Sequence, residues 1–336
     1  MLKSLLKNKL CLVTGGKGFI GAHLTEELLS CNSSVLVLDK EPIEITSYFT
    51  IEGLPARVEY VQGDITVSNQ VSKILRKYDV DYVFHLAAQP ITPLSNLEPN
   101  ETMRTNVEGT RNICEAILKQ KKKAKLIFAS SACYYGLALN SPLRESDPPN
   151  LGLGHSVYTK SKIHAEQIIH DFHKKQQLES IICRFVNVYG PGDRHGSRII
   201  PKTIIALLND KIPELARSFG DSVFSFMFVK DAVRAFLCAA MNVAYYSGEV
   251  FNFGLLGDNP RSIKKLIQTI FQISGKKAVT PTITCSIPEP RVVKYLDPSK
   301  SIRCLGWLPA IDLEIGLTET MSWEKLHGNK IERFLY

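Results

Sequence analysis

No apolar run in these 336 residues approaches the length of a membrane span, which excludes a protein anchored by a hydrophobic transmembrane helix. The opening Met1-Leu-Lys-Ser-Leu-Leu-Lys-Asn-Lys passes straight into an apolar strand without a cleavable leader, so a cytoplasmic location is expected. The eight cysteines, Cys11, Cys31, Cys114, Cys133, Cys183, Cys238, Cys285 and Cys304, include no CxxC pair and no Cys/His spacing suited to zinc. Most fall inside apolar stretches and read as buried free thiols in a reducing compartment, with no metal implied. Internal repeats and low-complexity tracts are absent, and blocks of one charge are scarce. The net charge is +8, but its only compact basic run is Lys119-Gln-Lys-Lys-Lys-Ala-Lys125, placed where a solvated helix end complements the helix dipole. Nucleic acid is therefore not an expected partner; a positive field that attracts an anionic ligand is the milder consequence.

With 44% hydrophobic and 22% charged residues, the chain can bury a full core as one large or two interleaved domains. Strand patterns near 9–14, 34–39, 58–62, 82–86 and 125–130 alternate with helical patterns near 18–30, 67–77, 101–119 and 156–175, and a further strand covers 180–185. Such alternation predicts right-handed crossovers and a parallel sheet. After Pro191 the texture shifts to shorter elements: a helix from about Ile199, an apolar strand Val223–Val229, a helix from Asp231, and a strand near Gly248–Phe253.

Three clusters carry chemistry. Lys9-Leu-Cys-Leu-Val-Thr breaks into Gly15-Gly16-Lys17-Gly18-Phe19-Ile20-Gly21, read as Gly16-x-Gly18-x-x-Gly21 or Gly15-x-x-Gly18-x-x-Gly21. Glycines there permit a tight turn, close approach of backbone to a pyrophosphate and packing of the next helix, whose N-terminus offers N–H donors. A second apolar strand ends in Asp39, spaced to bind the adenosine ribose hydroxyls and to repel a 2′-phosphate, so NAD is expected over NADP. Tyr158 and Lys162 lie one helical turn apart, so the ammonium can stand beside the phenol and favour its ionised form. The strand Lys125–Ser130 delivers Ser131 to the carboxyl end of the sheet, where open α/β folds bind ligands.

With His85-Leu-Ala-Ala88, Asn106-Val-Glu-Gly-Thr110 and Arg184-Phe-Val-Asn187-Val-Tyr-Gly-Pro191, these motifs resemble the extended short-chain dehydrogenase/reductases that act on nucleotide sugars, over nearly the whole chain. The tail fits as well: Phe251-Asn-Phe-Gly254, Leu296-Asp-Pro-Ser-Lys300 and Leu305-Gly-Trp-Leu-Pro309 resemble the closing pattern of their substrate part. The resemblance implies an α/β, Rossmann-type doubly wound parallel sheet with a smaller C-terminal substrate-binding domain. Residues 1–188 would bind NAD and 189–336 mainly the nucleotide sugar, with segments exchanged between them, in a homodimer. It assigns Ser131, Tyr158 and Lys162 to catalysis. Cofactor contacts fall to Gly15, Gly18, Phe19, Ile20, Gly21, Asp39, Lys40, Asp64, Ile65, Leu86, Ala87, Ala88 and Asn106, together with Tyr158 and Lys162. The substrate falls to Gln89, Ser131, Asn187, Arg194, Arg198 and Arg291.

The reaction is set by departures from the family. Dehydratases and decarboxylases of this kind carry an acid after the Ser/Thr, because expelling water needs a proton delivered and another abstracted. Here those positions are Ala132 and Cys133, which resembles a 4-epimerase that takes a hydride and returns it. Against this, Ala87-Ala-Gln89-Pro90 and Phe251–Gly254 resemble the CDP-glucose dehydratase branch, with Glu145 or Asp147 as stand-in acids; 4-keto-sugar reduction is a further alternative. Relatives also place a diphosphate-binding arginine where this chain has Phe224, so that grip is altered or shared with Arg194, Arg198 or Arg217. A catalytically silent NAD or sugar-nucleotide binder is the non-enzyme alternative, disfavoured by the intact Ser131, Tyr158 and Lys162.

Overall fold

The computed structural model describes residues 5–136, 141–150, 156–215, 221–255, 260–276, 281–283 and 291–333. Arg217 and Cys285 lie outside them. The principal strands are β1 (Leu10–Thr14), β2 (Ser34–Asp39), β3 (Glu59–Gln62), β4 (Tyr82–His85), β5 (Lys125–Ser131), β6 (Ser180–Phe185), β7 (Asn187–Tyr189), β8 (Phe226–Phe228) and β9 (Val250–Phe253). The principal helices are α1 (Phe19–Ser30), α2 (Ser68–Lys77), α3 (Gly109–Leu118), α4 (Val157–Gln176), α5 (Ile199–Leu208), α6 (Val229–Asn242), α7 (Ile263–Ser274) and α8 (Leu313–His327).

Seven strands form one parallel sheet in the order β9-β6-β5-β4-β1-β2-β3. Its strands are apolar on both faces because both are covered. Cys11, Val13, Val35, Val37, Phe84 and Ile127 face one core with α1 and α6, while Leu12, Leu36, Leu38, Val83, Leu126 and Phe128 face another with α2, α3 and α4. A third core joins β7 and β8 to α5, α7 and α8. Since β9 supplies the seventh strand and α6 packs on α1 and β6, the texture change near residue 188 does not bound the sheet.

Two segments differ from the sequence expectation. The helix expected over 101–119 is α-helical at Pro99–Met103 and Gly109–Leu118 but takes a π turn at Arg104–Glu108, around Asn106. The strand expected over 223–229 breaks at Ser225 into Val223–Phe224 and β8, which join different sheets, and α6 begins at Val229 rather than Asp231.

The catalytic-motif helix α4 is capped by the Ser156 hydroxyl, which accepts the Thr159 N–H at 3.1 Å, and ends with His173, Lys174 and Lys175 against its negative pole. Its Glu166, 1% exposed, accepts from Arg184 of β6 (Nη2 at 2.6 Å, Nε at 3.0 Å) and from the Ser130 hydroxyl of β5. Arg184 also donates to the Tyr135 hydroxyl at 2.8 Å, which donates on to Asn252 of β9 at 2.8 Å. On the opposite side of the sheet, rings of Phe19, His23, Tyr48, Trp323 and His327 stack in series, centroids 5.8, 3.9, 5.6 and 5.1 Å apart, from the start of α1 to the end of α8.

Breaking the Glu166–Arg184 pair by Glu166→Ala strands a buried guanidinium and should cost about 3–5 kcal/mol of stability. Urea unfolding measures it, and a loss under about 1 kcal/mol would show that the pair does not hold α4 to the sheet.

Candidate active site at the carboxyl edge of the sheet

The turn after β1 closes on itself. Gly15 (φ +69°) donates to the Leu38 carbonyl at 2.8 Å, and Gly18 donates to the Gly15 carbonyl at 3.0 Å. A Cβ on Gly15 would meet the Ala87 nitrogen at 2.8 Å, and one on Gly21 would stand 2.1 Å from the Gly15 carbonyl oxygen. A Cβ on Gly18 would touch only the Gly15 carbonyl, at 3.1 Å, so its outer side is open. The Gly15-x-x-Gly18-x-x-Gly21 reading therefore describes the cradle, with Gly16 pressed against Val37. Helix α1 begins there with no side-chain cap and no acid in its first turn, leaving its first N–H groups to an outside acceptor.

At the end of β2 the Asp39 carboxylate accepts the Lys17 and Glu41 N–H groups, each at 3.1 Å, which leaves lone pairs for ribose hydroxyls. Burial pushes its pKa up and those two N–H bonds pull it back. Lys40 beside it is exposed. Asp64 turns its carboxylate to the Thr66 N–H at 2.8 Å, and Ile65 is buried against Gly109. Leu86 and Ala87 are tied to Thr14 at 3.2 Å each, and Ala88 follows in the same half-buried turn. A turn whose Gly15 and Gly21 leave no room for a Cβ, an uncapped helix end and a carboxylate with spare acceptors fit a dinucleotide.

Ser131 ends β5, where it pairs with Phe185; its hydroxyl accepts the Cys133 N–H at 3.1 Å and is near enough to the Tyr158 phenol to lower its pKa. Tyr158 is buried, and burial lifts its pKa above the ordinary phenol range; Cys133 adds to the rise, while Ser131 and the Arg198 charge oppose it. Lys162 donates to the Ala129 carbonyl at 2.8 Å and sits 5.9 Å from the Tyr158 ring centroid. Burial lowers its pKa to about 8, with Glu166 and Cys133 working against the fall. Lys162 is expected from sequence, with Ser131, to favour the ionised phenol; in the folded site desolvation of Tyr158 is the larger effect, and the groups that oppose it are Ser131 and Arg198.

Asn106, in the π turn, joins the two halves of the site. Its amide donates to the Gln89 carbonyl (3.1 Å) and the Ser161 hydroxyl (2.8 Å), and its oxygen accepts the Gln89 N–H (2.7 Å). Ser161 in turn donates to the Tyr158 carbonyl at 2.8 Å. Sequence reasoning missed what stands behind Asn106. The Ala87 N–H bonds the Thr14 hydroxyl, Thr14 meets His85 Nδ1 at 2.7 Å, His85 Nε2 meets Thr110 at 3.0 Å, and Thr110 donates to the Asn106 carbonyl at 2.7 Å. Because Thr110 gives its proton to a carbonyl, it must accept from His85, which assigns the proton to Nε2 and leaves Nδ1 to accept from Thr14. Burial, first, holds the ring neutral, with its pKa down to about 3.

The substrate residues expected from sequence are dispersed. Gln89 turns inward, donating to Ile91 and Thr102 and accepting the Ile91 N–H. Asn187 is exposed on β7 beside Phe226. Arg198 bonds Asp193 at 3.0 Å at the start of α5, its charge reaching Tyr158. Arg194 lies on the Asp39 side, donating to Glu41 at 2.7 Å and to the Glu332 carbonyl at 2.8 Å. Arg291 is exposed and donates to the Asp221 carbonyl at 3.1 Å. Both stand-in acids are engaged: Glu145 accepts the Asn252 N–H at 2.7 Å and Asp147 the Arg144 N–H at 2.8 Å. Among the described residues no three His, Cys, Asp or Glu side chains group as a metal site, and no helix is long and apolar enough to cross a membrane.

Residues 11–254 match the NAD dependent epimerase/dehydratase family. The chain is 31% identical to the UDP-N-acetyl-alpha-D-glucosaminuronate decarboxylase of Bacillus cytotoxicus, over 94% of this chain and 97% of that protein. It is 28% identical to the human dTDP-D-glucose 4,6-dehydratase, over 96% and 92%. The crystal structure of a Thermotoga maritima UDP-glucose 4-epimerase with UDP-glucose superposes with a TM-score of 0.83 at 27% identity, covering 94% of this chain and 99% of that one. Three chemistries at similar distance identify a family without choosing a reaction.

The buried Lys162 yields a prediction of opposite signs. Its folded pKa lies below the ordinary lysine value of 10.5, so the charge penalises folding at neutral pH and the penalty fades as pH rises from about 8 towards 10.5. Lys162→Met should abolish turnover yet raise the melting temperature at pH 7, by an advantage that shrinks over that window in pH-dependent calorimetric scans. A destabilised variant, or a pH-independent gap, would refute the assignment.

Proposed function

The chain belongs to the NAD dependent epimerase/dehydratase family, and on that premise we propose that it oxidises C4 of a nucleotide sugar and returns the hydride to the opposite face, a 4-epimerisation. The observation that carries this is that Ser131 and Tyr158 stand together at the sheet edge with no free acid assigned beside them among the described residues: Ala132 and Cys133 follow Ser131, and Glu145 and Asp147 are bound to backbone N–H groups.

The cradle at Gly15, Gly18 and Gly21, with Asp39, would hold NAD, which when bound supplies the acceptor and donor of the hydride. Lys162 keeps two ammonium protons beyond the one given to Ala129, enough to bind a ribose hydroxyl as well. Tyr158 would take the proton of the C4 hydroxyl; the freed O–H electron pair becomes the second carbon–oxygen bond of the ketone, and the C4–H pair would leave as the hydride for which a bound NAD supplies the acceptor. Ser131 hydrogen-bonds that oxygen in both directions of the step. The resting balance favours the neutral phenol, which is the form that returns the proton to the ketone, and Ser131 and Arg198 favour the phenolate required first.

Dehydratase chemistry is the second reading, supported by the human 4,6-dehydratase relative. It needs an acid at C6 and a base at C5. A panel of UDP-, dTDP-, CDP- and GDP-sugars with a C4-deuterium label separates the two. Epimerisation returns product of unchanged mass, label retained at C4, with no solvent deuterium and no added reductant. Water loss or label at C6 would replace this reading by the dehydratase one.

Two variants test the roles. Tyr158→Phe should lower turnover about 10²–10⁴-fold with NAD affinity kept, as read by stopped-flow rates and calorimetry. Asp39→Ala should narrow the preference for NAD over NADP, and equal affinity of the unaltered protein for both cofactors would remove Asp39 from the cofactor site.

A further inference from the structure

The carboxylate of Asp39 lies between two backbone donors, the Lys17 N–H at one oxygen and the Glu41 N–H at the other, each at 3.1 Å. The side chains of those same two residues also meet. Lys17 Nζ stands 3.9 Å from Glu41 Oε2 and donates to the Pro42 carbonyl. The same Glu41 oxygen accepts Arg194 Nη1 at 2.7 Å, and Arg194 Nε donates to the Glu332 carbonyl at 2.8 Å. The loop is braced around this cluster: the Tyr60 hydroxyl donates to the Glu41 carbonyl at 2.5 Å, and the Glu332 N–H to the Thr46 carbonyl at 3.1 Å.

Lys17 belongs to the glycine turn, whose grip on a pyrophosphate comes from backbone N–H groups and calls for no ammunition of side-chain charge. Its side chain is nevertheless sealed, Arg194 is 6% exposed, and Glu41 between them is 22% exposed. Burial lowers the Lys17 pKa, Glu41 opposes the fall and Arg194 adds to it. Lys17 and Asp39 also act on each other's charge. Two cations are thus balanced by two carboxylates, Asp39 and Glu41, while the neighbouring Lys40 and Glu332 are exposed.

A phosphate on the adenosine 2′-hydroxyl would bring about −1.5 to −2 charges to the place where Asp39 holds a ribose. Asp39 repels it. The cations that could offset that repulsion are already committed to Glu41, so no attraction compensates. With both carboxylates neutralised, two buried cations would face an anion of nearly equal and opposite charge.

We propose that Glu41 is a second determinant of cofactor choice: by holding Lys17 and Arg194 it keeps the two cations gathered beside Asp39 from a 2′-phosphate, and so makes the site selective for NAD. Asp39 supplies repulsion and Glu41 withholds attraction. This goes beyond the reaction proposed above and rests on the cofactor site alone.

Calorimetric titration with NAD and NADP is the test. Asp39→Ala removes the repulsion and should admit NADP weakly. Adding Glu41→Gln should tighten NADP by roughly a further 10- to 100-fold, with NAD affinity kept as the control for folding. Lys17→Met in that double variant should remove most of the gain, whereas Glu41→Asp in place of Glu41→Gln keeps the charge and should give none. Should the double variant lose NAD as well, the single Glu41→Gln variant decides, since with Asp39 intact its NADP affinity should still rise above that of the unaltered protein. No gain from Glu41→Gln in a background that still binds NAD, or a gain that survives Lys17→Met, overturns the proposal. Unaltered protein that binds both cofactors equally overturns it together with the Asp39 assignment and leaves the reaction at Ser131 and Tyr158 untouched.

Discussion

The Glu166–Arg184 ion pair fixes the relation between helix α4, which carries Tyr158 and Lys162, and the sheet. Glu166 lies one turn beyond Lys162 on α4, and its two oxygens collect Ser130 from β5 and Arg184 from β6. Sliding or rotating α4 would leave charge stranded in a nearly dry interior, a cost no local repacking could offset. Through Tyr135 and Asn252 the same network reaches β9, so the strand contributed from beyond residue 188 is tied to the helix that carries Tyr158 and Lys162. The guanidinium is also sandwiched against the Tyr134 ring, its carbon 3.4 Å from the centroid. The 3₁₀ turn after Ser131 is therefore pinned by the same cation that holds α4.

A second, uncharged system works on the other flank. Thr14, His85, Thr110 and Asn106 form a chain in which every proton has one allowed place, running from the residue before the glycine cradle to the turn facing Ser161. The π turn gives Asn106 its reach: the extra residue in the turn brings the amide to Gln89 and Ser161 together. One flank of the site is thus set by ionic contacts and the other by ordered neutral hydrogen bonds.

Much of this was legible in the chain. The six strands from β1 to β6 stood out as short strand-type runs alternating with helical patterns, and the glycine cradle, Asp39, Ser131, Tyr158 and Lys162 lay at the ends of those runs or in the helix between them. What could not be read depends on contacts distant in sequence. Thr14 and His85 are 71 positions apart and look like ordinary strand ends. Gln89 turns inward because the Ile91 carbonyl and the Thr102 hydroxyl, 13 positions on, stand at hydrogen-bond distance. Arg194 goes to Glu41, 153 positions away, a pairing no local pattern encodes. Phe224 was visible as a departure, but the break of its strand at Ser225, which puts it in a different sheet from Phe226, was not.

The series of rings from Phe19 to His327 has a consequence for the tryptophans. Of the two tryptophans, Trp307 is sealed in the core at 1% exposure, edge-on to Phe253. Trp323 is half-buried, donates its indole N–H to Glu52 at 3.0 Å and rests on Tyr48, which rests on His23 of the glycine-cradle helix. Any displacement of α1 is therefore passed through His23 and Tyr48 to the indole of Trp323, whereas Trp307 is shielded from solvent and held by Phe253. The two indoles thus sit in unlike surroundings, one coupled by ring contacts to the helix that begins after Gly18 and one sealed in the core.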